Sequence, residues 1–549
     1  MCLPPLVSSG RSAPVPWPDL LNPVPTLSVD AAGLGRVLAF AFVSGDDGGV
    51  LASALDSAPI APSDFMPDCF FHELFVEELV RTCMQVRLAN KPVRINERYL
   101  LRLLSQPPAE LAAIEQRRAV LRELAEQPRV RPALELVYGH LRELRRLFEG
   151  EDRLGLHGEQ ARRRIEMLRA LKDCFVSMAQ PELSGAQSVL ARLATFSAHV
   201  TASEGFLRLD ELLRYENERA YADLTLQLGA DGTVRGLSVV HVREDQRSRY
   251  HVSLGRRWAS RLWLWLKGYR IGDSEIVDRW LDHVFEGVSP FIPALLQLLG
   301  DIEFYLAGLA LRDACSARGL PVCFPELCEE GTECRVEGLY NPLLFALGVQ
   351  PVACSLTLGQ SGVTTLITGP NSGGKTRLLQ AVGILQLCAQ GGLFAPAARA
   401  QLPRVPGIFA SLSQPAAADQ PEGRLGTELL RIRMLFERAE RGFLVLVDEL
   451  CSGTSPSEGE ELFRLVLELL SELAPLALVS THFLTLAAEL ASEHGTLTLN
   501  FTQVELDSEQ RPTYRFMPGV AETSLARQTA ARLGVTREEL RALLAAKRR

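Results

Sequence analysis

The sequence predicts an α/β domain at its C-terminal end, preceded by a mostly α-helical domain with a small β-hairpin. Three observations carry that expectation. Beyond about Pro321, short apolar runs (TTLITG at 364–369, FLVLVD at 443–448, LALVST at 476–481) alternate with helical patterns such as SEGEELFRLVLELLSELA at 457–474. This is the strand–helix alternation of a parallel sheet. From about Arg98 to Glu149, Leu and Ile recur at i, i+3 and i+4, the period of a helix with one apolar face. Between them, ADLTLQLGADGTVRGLSVVHV at 222–242 alternates Leu224, Leu226 and Leu228 with polar residues, turns at GADG and returns through Leu237 to Val242, as a hairpin does.

Residues 1–62 are rich in proline and predict a poorly ordered tail. The helical domain is expected over 63–320. It opens with FFHELFVEELVRTCM at 70–84, where Phe71, Leu74, Phe75 and Leu79 make one apolar face. Pro107-Pro108 interrupts the helical pattern, as do Pro128 and Pro132, and a charged helix is expected from Gly158 to about Met178. Helices resume from about Gly255 to Ser316. Within them, RRWASRLWLWLKGYR at 256–270 mixes basic and aromatic residues as a nucleic-acid surface would. Trp258, Leu262, Trp265 and Tyr269 nevertheless fall on one helical face, so a core helix with exposed Arg257 and Arg261 is the expected reading. The α/β domain is expected over 321–549, ending in two short helices joined at Gly534.

Length and composition narrow the function. The 549 residues suffice for about three domains, and 47% hydrophobic with 23% charged residues is ordinary for a soluble protein. No uninterrupted apolar run reaches the roughly 20 residues of a membrane span, and the N-terminus lacks the basic start and apolar core of a secretory signal. Net charge −8 and a pI near 5.8 argue against capture of nucleic acid by the whole surface, while leaving room for a local basic groove. The 11 scattered cysteines suit reduced thiols in a cytoplasm, and Cys315, Cys323, Cys328 and Cys334 lack the paired spacing of a zinc site.

The chemistry sits in three strand ends. TLITGPNSGGKTRLLQ contains G-x-x-x-x-G-K-T, with an apolar strand before it and a helix pattern after it. Gly369, Pro370, Asn371, Ser372, Gly373 and Gly374 would fold backbone N–H groups around phosphate oxygens at a helix N-terminus. Lys375 would reach the β- and γ-phosphates of ATP, and the Thr376 hydroxyl would bind Mg2+. Asp448, ending a second apolar strand, would hold the same Mg2+, and Glu449 is the expected general base on the attacking water. His482, after a third strand, would sense the γ-phosphate.

GPNSGGKT, LVDELCSGTSPSEG and STHF, in this order, resemble the ATPase domain of the MutS family, relatives of ABC-type ATPases. FPELCEEGTECRVEGLYNPLL at 324–344 is similar to the lead-in of that domain, which implies that Asn341 lies near the adenine. Weaker likeness extends over about 65–320, to the family's helical core and lever domain. The resemblance implies a P-loop (ABC-type) ATPase that works as a dimer, with ATP held between one subunit's P-loop and the other's signature loop. Thr454 and Ser455 match positions that connect the two sites. The signature departs from the family pattern: GRLGTELLRIR places Gly423 where a serine is usual, Leu425 at the aromatic position and Glu428 at the acidic one. Cys451 and Ser452 replace a usual Gly and Arg. Phe71-His72-Glu73 imitates the family's mismatch reader, but a core-helix role is expected instead. Residues 1–62 are too short for the mismatch-recognition and connector domains, so a short member is implied, with no room for a C-terminal nuclease domain.

Two functions follow as expectations. One is an ATP-dependent DNA-binding protein of repair or recombination, with DNA and repair proteins as partners. The other is an ATP-gated dimer that binds proteins rather than DNA. A P-loop kinase fits less well, because Asp448-Glu449 and His482 suit water activation better than transfer to an acceptor.

Overall fold

A computed structural model of the protein describes residues 14–44, 49–149, 157–217, 220–228, 234–244, 273–329, 331–412, 423–451, 455–493, 497–522 and 535–546. The chain divides into two units, each assembled from two stretches: 1–59 with 122–302, and 60–121 with 303–549. The expected boundaries are thereby moved. The stretch 63–320 is not one unit, because its first part packs with the α/β sheet.

The first unit is helical. Its helices include Ala31–Ser44, Val130–Glu149, His157–Ser177, Ala191–Thr201, Glu204–Asn217 and Asp273–Val288. Leu34, Leu38 and Phe42 bury one side of the first of these. Phe42 stacks on Phe285 with ring centroids 4.0 Å apart, and the Arg164 guanidinium lies 4.7 Å from the Phe42 centroid. The expected hairpin is present as antiparallel strands Ala220–Leu228 and Val234–Glu244. The basic-aromatic segment 256–270 lies outside the described residues.

The expectation of a poorly ordered tail is corrected for residues 14–44 and 49–59. The buried Asp19 carboxylate accepts hydrogen bonds from the N–H groups of Leu21, Asn22 and Thr26, from the Asn22 amide and from the Thr26 hydroxyl. Arg192 donates to the carbonyls of Asp19, Asn22 and Pro23, and Leu20 N–H donates to Asp301. Order here comes from partners distant in sequence, which local proline content cannot reveal.

In the second unit, a six-stranded sheet carries the apolar runs. Its strands are β1 (Thr364–Thr368), β2 (Ile408–Ser411), β3 (Leu444–Val447), β4 (Leu476–Ser480), β5 (Leu499–Leu506) and β6 (Pro512–Pro518), in the order β2-β3-β4-β1-β5-β6. All neighbouring pairs are parallel except β5 with β6. Strands β1, β3 and β4 are buried along their whole length, as near-continuous apolar runs require. Three helices matter for the site: α1 (Lys375–Gly391), α2 (Gly423–Arg438) and α3 (Pro456–Glu472). A four-stranded sheet from Glu326–Cys328, Arg399–Pro403, Cys334–Leu339 and Cys354–Gly359 completes the α/β part. Of the two expected C-terminal helices, Arg537–Ala546 is present and the first lies outside the described residues.

The early stretch 60–121 joins this unit through α1. Leu74 packs so closely on Gly383 that a Cβ there would stand 2.5 Å from a leucine methyl. At the far end of α1, Arg118 donates to Ala389 O at 2.9 Å and Arg117 to Gly391 O at 3.4 Å. Both arginines are buried. The expected helix start at Phe71 is displaced. Residues 70–75 form turns, Phe75 is left-handed (φ 53°) and 44% exposed, and the helix runs Val76–Cys83. Leu74 and Leu79 are buried as expected. Glu73 accepts Leu412 N–H at 3.0 Å and pairs with Arg431 of α2 at 3.1 Å.

Trp280–Ser316 is long and apolar enough to cross a membrane by composition, yet 94% of its apolar window is buried within the protein. Its charged residues, Asp301, Glu303 and Arg312 among them, break the uninterrupted run that a sequence scan seeks.

Candidate functional site

The parallel register gathers the predicted residues at one edge of the sheet. β1 ends at Thr368, and the loop Gly369–Gly374 leads directly into α1 at Lys375. Glycine is required on two grounds. Gly369 (φ 136°) and Gly374 (φ 87°) hold backbone angles that side chains disfavour. In addition, a Cβ at Gly369 or Gly373 would stand 2.7 Å from a Val504 methyl. The loop is thus seated on β5. Asn371 and Ser372 are exposed at its tip, and Pro370 is buried.

Strand β3 pairs with β4 so that Val447 faces Val479, and the next residues, Asp448 and Ser480, meet. Ser480 donates its hydroxyl to Asp448 Oδ1, and Thr376 donates to Asp448 Oδ2. Ser480 Oγ also accepts Glu449 N–H at 3.0 Å. One buried carboxylate therefore holds a hydroxyl from α1 and another from β4. Two oxygens of the expected Mg2+ set, Thr376 Oγ1 and Asp448 Oδ2, are already side by side, so these residues fit a small hard cation.

Lys375 is buried at 3% exposure. Its ammonium donates to Gly369 O at 3.0 Å and Pro370 O at 3.3 Å, and lies 3.7 Å from Glu449 Oε1. Burial lowers its pKa from the ordinary lysine value, a shift that the Glu449 and Asp448 carboxylates oppose. Glu449 adopts φ 47°, and Cys451 φ 62°, so the chain turns sharply straight after the strand. Burial, with Glu428 of α2 adding to it, pushes the Cys451 thiol up to about 11.

The remaining predicted residues are placed differently. His482 lies on the same edge, because Thr481 N–H bonds to Ile367 O of β1. Its ring is exposed, packs 4.3 Å from the Phe483 ring and makes no hydrogen bond among the described residues. Asn341 is buried, and its amide is committed within the protein. It donates to Arg377 O at 3.0 Å and Gln380 Oε1 at 3.3 Å, and accepts Leu343 N–H at 2.9 Å. It fixes the Pro342–Leu347 turn to α1, while lining a cavity of about 610 Å3 that also includes Asn371, Lys375 and Thr376. Gly423 opens α2, the Leu425 side chain, Ser452 and Thr454 lie outside the described residues, and Ser455 bonds Glu458 at 2.9 Å at the start of α3.

Sequence reasoning missed Ser480 and Val504. Ser480 carried a signal: it is the polar end of an apolar strand adjacent to the Asp448 strand. Val504 carried none, because its contact depends on how β5 lies against the loop.

Comparison with known proteins adds a family. The family model of MutS domain V matches residues 365–542. Curated relatives named Endonuclease MutS2 align with longer stretches. That from Thermomicrobium roseum is 31% identical over 351 residues, 62% of this chain and 41% of the relative. The Thermus thermophilus protein is 32% identical over 279 residues, 50% of this chain and 36% of the relative. The Carboxydothermus hydrogenoformans protein is 31% identical over 275 residues, 49% and 34%. The chain thus spans about two fifths or less of the length of these relatives.

Proposed function

The chain belongs to the MutS family, and from that premise we propose that it is an ABC-type ATPase that hydrolyses ATP at a dimer interface to control DNA binding in repair or recombination. The observation that carries this reading is the joining of three strand ends: Thr376 and Ser480 on Asp448, with Lys375 and Glu449 beside them.

In this reading the loop Gly369–Gly374 and the α1 N-terminus bind the phosphates. Lys375, relieved of its contacts to Gly369 O and Pro370 O, turns its ammonium to the β- and γ-phosphates. Thr376 and Asp448 hold Mg2+, which supplies neutralisation of phosphate charge when bound. Glu449 accepts a proton from the water that attacks the γ-phosphate in line. His482, on the same edge, faces the phosphate from the neighbouring strand end. Gly423 offers no hydroxyl at the signature position, so hydrolysis is expected to be slow. The nuclease activity in the relatives' name is not carried over.

Steady-state ATP hydrolysis with and without duplex, mismatched and branched DNA tests the proposal. Stimulation by one DNA form, lost by about a hundredfold or more in Glu449→Gln, is the expected result. Hydrolysis indifferent to every DNA, with no salt-sensitive DNA binding, favours the protein-binding dimer instead. Sedimentation with and without ATP tests the dimer.

A further inference from the structure

Glu73, the last residue of the Phe71-His72-Glu73 triplet, touches no part of the phosphate site, yet its carboxylate is held at both oxygens. Oε2 accepts Leu412 N–H at 3.0 Å, and Oε1 lies 3.1 Å from Arg431 Nη2 of α2. Arg431 Nη1 in turn donates to Leu412 O at 3.1 Å. The three residues close a clasp in which both backbone groups of Leu412 are taken by charged side chains. Charge-assisted bonds of this kind are strong and directional. The Glu73 and Arg431 side chains are only 15% and 27% exposed. At such burial desolvation offsets much of the attraction, so net stability is a weak reason for the pair.

What the clasp holds stands beside the reacting groups. β2 is the first strand in the sheet order, and Leu412 directly follows it. The Ser411–Leu412 peptide donates its N–H to Glu73 and, at its carbonyl, accepts Asp448 N–H at 2.9 Å. One planar peptide group therefore connects the Glu73 carboxylate to the backbone of Asp448. The other side of the clasp is anchored as well. Leu74, the next residue, seats on Gly383 of α1, and a Cβ at Gly383 would also stand 3.0 Å from a Leu446 methyl of β3. The turn that carries Glu73 thus bears on the helix that opens with Lys375 and Thr376, and on the strand that ends at Asp448.

We propose that Glu73 is a positioning residue for ATP hydrolysis: with Arg431 it fixes the Ser411–Leu412 peptide, and through that peptide the Asp448–Glu449 turn, against α1. The proposal rests on the ATPase reading above.

Steady-state hydrolysis at saturating Mg-ATP, with calorimetric Mg-ATP affinity and a thermal melt for each full-length variant, tests it. Glu73→Gln keeps an acceptor for Leu412 N–H and removes the charge. Arg431→Met removes the cation, and Arg431→Lys keeps it. Glu73→Gln and Arg431→Met are each expected to lower kcat about tenfold or more with Mg-ATP affinity unchanged, and Arg431→Lys to recover most of that loss. Combining Glu73→Gln with Arg431→Met should slow hydrolysis no further than the slower single change, because both act through one clasp. Should Arg431→Met not fold, Glu73→Gln decides on the same two readings. Unchanged kcat in Glu73→Gln overturns the positioning role, as does a loss of Mg-ATP affinity equal to the loss of kcat, and both leave the ATPase reading standing. A parent protein that does not hydrolyse ATP overturns the ATPase reading itself.

Discussion

The two ends of α1 are both held by buried cations, and the contrast between them separates function from stability. At the N-terminal end the cation is Lys375, the helix's own first residue, where the helix dipole disfavours positive charge. Burial works against its charge as well. At the C-terminal end, Arg117 and Arg118 arrive from the helix Leu111–Glu126 and donate to the last carbonyls, where a cation is favoured. The first arrangement stores unfavourable electrostatics that an anion would relieve. The second satisfies carbonyls that would otherwise be orphaned.

Replacement at each end should therefore have opposite effects. Lys375→Ala is expected to cut Mg-ATP affinity about a hundredfold while leaving the thermal midpoint unchanged or higher. Calorimetry and thermal melts on one preparation would check both halves, and a large drop in midpoint would break the comparison. Arg118→Met should do the reverse. Loss of a buried, charge-assisted hydrogen bond costs about 2–3 kcal/mol, read as a lower denaturant midpoint, with ATP affinity nearly intact.

A smaller change sharpens the active end. Ser480→Ala removes one of the two hydroxyls on Asp448, with about a tenfold loss of hydrolysis expected at low Mg2+ and partial rescue at high Mg2+. The smallest effect concerns Glu73. Burial raises its pKa, more strongly than Arg431 and Leu412 N–H lower it, so the folded state keeps this proton to higher pH than the unfolded chain. Its contribution is then full below the ordinary carboxylate value of about 4.3 and is lost as pH rises through the raised value. Glu73→Gln should flatten that decline in urea midpoints measured across pH. A steeper decline in the variant would show that the Arg431 pair dominates instead.

The contrast also explains what could be read from the sequence. The N-terminal end of α1 was legible because its chemistry is local: glycines that must be glycines, then Lys375 and Thr376. The position of Asp448 and Glu449 was legible because a short, wholly apolar run, β3, stops at the two carboxylates. The C-terminal end was not, because Arg117 and Arg118 lie in a charged helical stretch whose periodicity says only which face is apolar. The Asp19 turn was hidden for the same reason, its partners Arg192 and Asp301 being distant in sequence. Asn341 lines the cavity that also holds Lys375 and Thr376, and its amide is committed to Arg377, Gln380 and Leu343, partners that its sequence position does not reveal.

The seating of the loop Gly369–Gly374 on Val504 has a consequence for biosynthesis. β1 lies between β4 and β5, and both are made long after it. While the ribosome is still adding the intervening residues, Gly369 and Gly373 have no valine to lean on and the central strand has no neighbours. Nucleotide should therefore be unable to assist the early chain. Of the segment 364–391, α1 can already meet Leu74, Arg117 and Arg118 of the earlier stretch 60–121, whereas β1 and the loop wait for β4 and β5.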